Sequence, residues 1–307
     1  MIRQKISVLV LVFVFSLFLV KDIALFRTIQ SITFNANTSQ PCPQIYAKTV
    51  MLDHVNNYIM SPLSREFEDT IHLTARFPSL TANQVSYFGV LVAVVAARVV
   101  LSDTLCVRRL AVGLFLVRQF VDDLDGLVAR IRIGMDRNVD VSITGTTGYA
   151  VDGICDAIGF TVFVVAVFAH SLRNTNYKYK PIIDGDGESR AKRLLLRNYA
   201  LFGLQMALSC VLWNRYIDVF HRLLEVHPSV TTVQIFKSRL QWLIMWLWRC
   251  YGNAHQLMIF FLMSVWLNRS DQFVQCVHFI GFVALIGLSF LTEMHLNDIE
   301  NYLADTS

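Results

Sequence analysis

Charge is scarce in this sequence. Asp, Glu, Lys and Arg make up 16% of its 307 residues against 54% apolar ones, and the mean hydropathy is +0.48. The apolar residues gather into segments long enough to cross a bilayer, which identifies an integral membrane protein. An excess of one sign is also missing: the net charge of +4 is spread along loops. That excludes nucleic acid as a partner and leaves the basic residues to set topology. Paired cysteines are absent as well. Cys42, Cys106, Cys155, Cys210, Cys250 and Cys276 form no CxxC, and most sit in apolar runs as small hydrophobes. This excludes a zinc site and a disulfide framework. The chain has no internal repeat and no low-complexity tract.

Seven hydrophobic spans can be drawn, near 6–26, 84–101, 106–131, 147–170, 197–214, 240–267 and 272–293. In lipid these are expected to be helices, because an open strand would leave backbone groups unpaired. Arg3 and Lys5 precede the first apolar run, but no small-x-small cleavage site follows before Lys21 and Asp22. The expectation is an uncleaved anchor over 1–26. Residues 27–83 are more polar, contain Pro41, Pro43, Pro62 and Pro78, and read as a connecting segment on the membrane, with His54 to Phe67 as an interfacial helix. Residues 84–293 form the main helical domain, and 294–307 a C-terminal tail.

Segment 171–197 carries Arg173, Lys178, Lys180, Arg190, Lys192, Arg193 and Arg197 around Asp184-Gly185-Asp186-Gly187. Without the twelve-residue ligand pattern it reads as a solvated loop, not a calcium loop. If the N-terminus is cytosolic, this loop and Arg108 and Arg109 are cytosolic too. Once the long first loop is left out, basic residues favour that orientation. Residues 131–147 then face the lumen, as does the sequon Asn37-Thr38-Ser39 in the first loop.

Two polar signatures interrupt the apolar spans. The first is Asp122-Asp123-Leu124-Asp125-Gly126-Leu127-Val128-Ala129-Arg130, and the second is Gly148-Tyr149-Ala150-Val151-Asp152-Gly153-Ile154-Cys155-Asp156. At 3.6 residues per turn, Asp122, Asp125, Gly126, Ala129 and Arg130 share one helix face, and Gly148, Asp152 and Asp156 share another. The two helices are antiparallel across one loop, so Asp122, Asp125, Asp152 and Asp156 can converge near the luminal surface. Four bare carboxylates in a partly dry site cannot all stay ionised unaided. Hard divalent cations resolve the conflict. Oxygen-only ligands suit magnesium or manganese, and a pair of such ions can clamp the attacking and leaving oxygens of a phosphoryl group. Gly126 and Gly148 clear space for a substrate beside the backbone, Ala129 keeps the face shallow, and Arg130 offers a donor fork to phosphate.

At these residues the chain resembles the CDP-alcohol phosphotransferase family, with its pattern D-x-x-D-G-x-x-A-R, a spacer, then G-x-x-x-D-x-x-x-D. All eight fixed positions are present. Asn83-Gln84-Val85-Ser86 is similar to the Asn-x-Ile-Thr that opens the family core. The resemblance covers about residues 80–293. It implies an all-α polytopic membrane protein, a six-helix CDP-alcohol phosphotransferase core plus one N-terminal transmembrane helix, acting as a homodimer. It further implies two Mn2+ or Mg2+ ions held by Asp122, Asp125, Asp152 and Asp156, with Asp156 also the general base. Gly126, Ala129, Arg130, Gly148, Asn83 and Ser86 would line the CDP pocket.

Two features depart from that pattern. The spacer from Arg130 to Gly148 has 17 residues, about twice the usual length. Pairing Asp136 with Asp140 instead would shorten it, but Arg132 then stands where glycine is required. The extra N-terminal span also inverts the core, giving a luminal site. Together these look like the insect-type ceramide phosphoethanolamine synthases. That narrower resemblance implies transfer of phosphoethanolamine from CDP-ethanolamine to the primary hydroxyl of ceramide, releasing CMP. Its implied location is the Golgi membrane, with the endoplasmic reticulum as second choice. The competing readings are an ethanolamine or choline phosphotransferase acting on diacylglycerol with a cytosolic site, and a divalent-cation transporter. Transport has no need of the glycines, Ala129 and Arg130.

The remaining polar residues have plainer readings. Asp123 lies off the motif face and reads as support for it. Arg118, one turn before Asp122, is either a counter-charge for the site or a packing residue. Arg249 and Asn253 read as interhelical hydrogen-bonding groups. His255 and His278 read as core histidines, and Trp242, Trp246 and Trp248 as interface and packing aromatics.

Overall fold

The computed structural model describes residues 2–35, 40–42, 47–135, 146–179, 185–225 and 229–306. Asn37, Thr38 and Ser39 of the sequon, Asp136 and Asp140 of the spacer, and Asp184 lie outside these residues. The described chain is all-α apart from a small antiparallel hairpin, β1 (Thr33–Asn35) with β2 (Gln40–Cys42). The long helices are α1 (Ile2–Gln30), α5 (Ala82–Val100), α6 (Leu105–Arg132), α7 (Thr147–Tyr179), α8 (Gly185–Leu224) and α12 (Ser270–Thr306). Shorter ones are α2 (Ala47–Met51), α3 (Ser61–Ile71), α4 (Leu73–Arg76), α9 (Val230–Phe236), α10 (Arg239–Leu247) and α11 (Ala254–Trp266).

Among the described residues, four helices are long and apolar enough to cross a membrane, within Ala82–Val100, Thr147–Asn174, Glu188–Leu224 and Ser270–Asp305. The chain is therefore a multi-pass membrane protein. Its surface agrees, since Phe279, Ile286 and Phe290 on α12 are each at least 67% exposed, as side chains facing lipid are. All seven expected spans are helical, but three carry features that set them apart. α6 holds Arg108, Arg109, Arg118 and three aspartates. α1 runs through Lys21 and Asp22 instead of stopping at them.

The 240–267 span is not one rod. A wide π turn over Trp248–Gly252 and an extended Asn253 separate α10 from α11. The turn demands glycine: a Cβ on Gly252 would lie 2.1 Å from the Trp248 ring, which is fully buried and donates to Thr292 Oγ1 at 2.9 Å. Helices also run further than the apolar runs that announce them. Much of segment 171–197, expected as a loop, belongs to α7 and α8, and residues 294–306, expected as a tail, continue α12. Helical hydrogen bonding does not end where the hydrocarbon does.

Backbone contacts divide the chain into two compact units. The first comprises Met1–His54, Ser209–Gln256 and Val283–Ser307. Its core joins Ile29 and Ile32 to Tyr216, Phe220, Trp248 and Leu288. Within it Asp22, 2% exposed, accepts from His54 Nε2 at 2.8 Å and Trp246 Nε1 at 2.8 Å, with Arg249 Nη1 at 3.5 Å. Arg249 thus bonds between helices, as its sequence reading expected.

The second unit comprises Val55–Leu208 and Leu257–Phe282. Here α5 packs along both α6 and α7. Its contact face is lined by small residues, Gly89, Ala93, Ala96 and Ala97, all buried. Small side chains let membrane helices approach closely, and dispersion between backbones then holds them. The start of α5 is fixed by a capping box, in which Thr81 and Gln84 satisfy each other's backbone N–H groups. At one end Asp271 accepts from Ser171 Oγ at 2.5 Å and Tyr199 Oη at 3.0 Å, joining α7, α8 and α12.

Candidate active site

The second unit brings the two sequence signatures together. Asp122 and Asp125 sit one turn apart on α6, and Asp152 and Asp156 one turn apart on α7. One carboxylate oxygen from each of Asp122, Asp125 and Asp152 lies within 4.8 Å of the others. Asp125 is buried, whereas Asp122, Asp152 and Asp156 are half-buried. Such a set fits a hard divalent cation, because it offers only oxygen donors and close like charges that need a positive partner.

Asp156 is turned towards an arginine. Arg118, 2% exposed, donates through Nη2 to Asp122 Oδ1 at 3.1 Å and to Asp156 Oδ1. Of the two readings open for Arg118, the counter-charge is the one realised. Packing serves it too: the guanidinium carbon lies 5.0 Å from the Phe160 ring centre and 5.8 Å from that of Phe115.

The second ring of contacts comes from α3 and α5. Ser86 Oγ donates to Asp125 Oδ2 at 2.5 Å, so the weak echo at the start of α5 reaches the acidic cluster through its serine. Asn83 lies close by: a Cβ built on Gly148 would be 3.8 Å from Asn83 Oδ1. That is an ordinary contact, so packing among the described residues does not itself require glycine at 148. At Gly126 the same Cβ would sit 3.3 Å from Arg130 Nη1, which puts the buried Arg130 over that glycine. Ala129 is half-buried on the same helix. Asp123 points elsewhere, accepting from Ser61 Oγ at 2.7 Å and Ser64 Oγ at 2.5 Å on α3. Arg132, which rules out the shorter spacer, donates to the carbonyls of Thr74, Phe77 and Leu80 at 2.9–3.2 Å and ties down the end of α6.

Sequence reasoning missed Ser61, Ser64 and Gly159. The serines are distant in sequence and carry no motif. Gly159 did leave a trace, because an unexplained glycine inside a helix costs about 1 kcal/mol relative to alanine. Its reason is Arg118, whose Nε lies 3.2 Å from where a Cβ at 159 would stand.

Comparison with known proteins agrees with this geometry. The ceramide phosphoethanolamine synthase family model matches residues 21–306. The chain is 33% identical over 284 residues to a ceramide phosphoethanolamine synthase of Drosophila melanogaster, covering 87% of this chain and 71% of that one. No solved structure matches. With a family match running through both signatures and one third identity over most of each sequence, the chain belongs to the ceramide phosphoethanolamine synthase family.

Proposed function

We propose that this enzyme transfers phosphoethanolamine from CDP-ethanolamine to the primary hydroxyl of ceramide, giving ceramide phosphoethanolamine and CMP. The observation that carries the reading is the meeting of Asp122, Asp125 and Asp152 within 4.8 Å, from two adjacent helices, in a chain of this family. In this reading Asp122, Asp125, Asp152 and Asp156 hold two Mn2+ or Mg2+ ions. When bound, such ions neutralise charge on the phosphoryl oxygens and the departing nucleotide.

The chain's own residues supply position and proton transfer. Gly126, Ala129, Arg130, Gly148, Asn83 and Ser86 line the CDP pocket, with the Arg130 fork aimed at phosphate. The ceramide hydroxyl oxygen bonds to the β-phosphorus as the bond from that phosphorus to the bridging oxygen breaks. The bridging oxygen leaves with CMP, and the hydroxyl proton passes to the Asp156 carboxylate. Holding the two substrates in line within a partly dry site provides most of the rate. The enzyme works as a homodimer in the Golgi membrane with this site facing the lumen, an orientation supported by the basic-residue bias of the loops.

Purified protein in mixed micelles tests the substrate pair. Given CDP-ethanolamine or CDP-choline with ceramide or diacylglycerol, it should form product from CDP-ethanolamine and ceramide, and chelation should stop it. Preference for diacylglycerol would overturn the acceptor and leave the reaction class standing. A tag placed between residues 179 and 185 tests orientation in sealed Golgi vesicles. Protease should reach it from outside, and protection would reverse the assignment.

A further inference from the structure

The acidic cluster contains a charge that the family pattern does not assign. Arg118 lies one turn before Asp122 and reaches across to α7, where its Nη2 meets Asp156 as well as Asp122. A guanidinium stays protonated in proteins, and a buried charge needs partners to offset its lost hydration. Its socket is built for it. A Cβ on Gly159 would crowd Nε at 3.2 Å and Ala93 Cβ at 3.4 Å, and the Phe160 and Phe115 rings flank the guanidinium. Oxygens of Asp122, Asp125 and Asp152 converge within 4.8 Å of one another, while Asp156, which also has an oxygen within 4.8 Å of Asp122, is engaged by the arginine.

We infer that Arg118 is a positioning residue that occupies the place of the second cation, between Asp122 and Asp156, until nucleotide binds. The resting site then takes one divalent ion, at Asp122, Asp125 and Asp152. This inference rests on the metal reading proposed above. Charge balance gives the order of loading. Four carboxylates with Arg118 and one divalent ion keep a single negative charge. A second ion would leave the cluster positive inside a membrane helix bundle, where unbalanced charge is costly. The diphosphate of the nucleotide removes that penalty, so the second ion enters with it and Arg118 releases Asp156.

Manganese binding to the purified protein in detergent tests this, using equilibrium counting and electron paramagnetic resonance. Without nucleotide, the natural protein should bind one Mn2+ per chain with an uncoupled spectrum. Adding CDP-ethanolamine without ceramide should bring a second ion and the exchange coupling expected of a pair about 3.5–4 Å apart. Arg118→Gln should bind two ions without nucleotide, and Arg118→Lys, which keeps the charge, should bind one. Two ions in the natural protein before nucleotide would overturn the inference and spare the metal reading. A folded Arg118→Gln protein that still binds a single ion would overturn it too. If that variant does not fold, the count on the natural protein decides. No bound manganese in any state would overturn the metal reading and this inference together, while product formation measured in parallel reports on the transfer itself.

Discussion

Each of the two units buries aspartate against arginine, and the two clusters are balanced differently. In the first unit a single carboxylate, Asp22, is surrounded by His54, Trp246 and Arg249. In the second, four carboxylates gather where Arg118 and Ser86 are the donors described above. A carboxylate surrounded by donors is a fastening, and its worth is measured by what breaking it costs. A crowd of carboxylates with too little positive charge is costly to keep unless it binds something. Burial alone does not separate the two, since Asp22 and Asp125 are 2% and 4% exposed. The number of carboxylates that meet does.

The contrast can be broken first by removing metal. Chelation should abolish ceramide phosphoethanolamine formation, and added Mn2+ should restore it, while circular dichroism of the helices stays unchanged. Next in size, Asp152→Asn should lower kcat/KM by about 10³-fold with little change in the thermal unfolding midpoint. Arg249→Met should do the reverse. It strands Asp22 without its cation and should destabilise the protein by about 3–5 kcal/mol, read by unfolding in detergent. Combining it with Asp22→Asn should recover part of that loss. A large stability loss in Asp152→Asn and none in Arg249→Met would erase the distinction between the clusters. More finely, Ser86→Ala should weaken metal affinity about 10-fold by freeing Asp125, measured by manganese titration. Smallest of all, Ser64→Ala should cost about 1 kcal/mol of stability through its hydrogen bond to Asp123.

The cluster in the second unit was legible because its members are close in sequence and obey helical spacing. Offsets of three and four residues put Asp122 with Asp125 and Asp152 with Asp156 on shared faces, and one connection makes the helices neighbours. The cluster in the first unit was illegible for the opposite reason. Asp22 and Trp246 are 224 positions apart, and no local pattern announces their meeting. Helix existence was likewise readable from apolar runs, but helix limits were not. The polar ends of α7, α8 and α12 have the composition of loops, and the π turn at Trp248–Gly252 lies inside a span whose Arg249, Gly252 and Asn253 read only as isolated polar or small residues. Arg118 was visible as a buried charge, yet its hollow at Gly159 required coordinates.

The pair of serines that hold Asp123 has a consequence for its neighbour. Consecutive side chains on a helix splay by about 100°. Moored to Ser61 and Ser64, Asp123 therefore sets the bearing of α6 about its own axis. A rod among oily neighbours can swivel at small cost, and a modest swivel would carry Asp122 and Asp125 out of aim. The doubled aspartate in the sequence thus divides its labour: one side chain is the keel, and the other does the pointing.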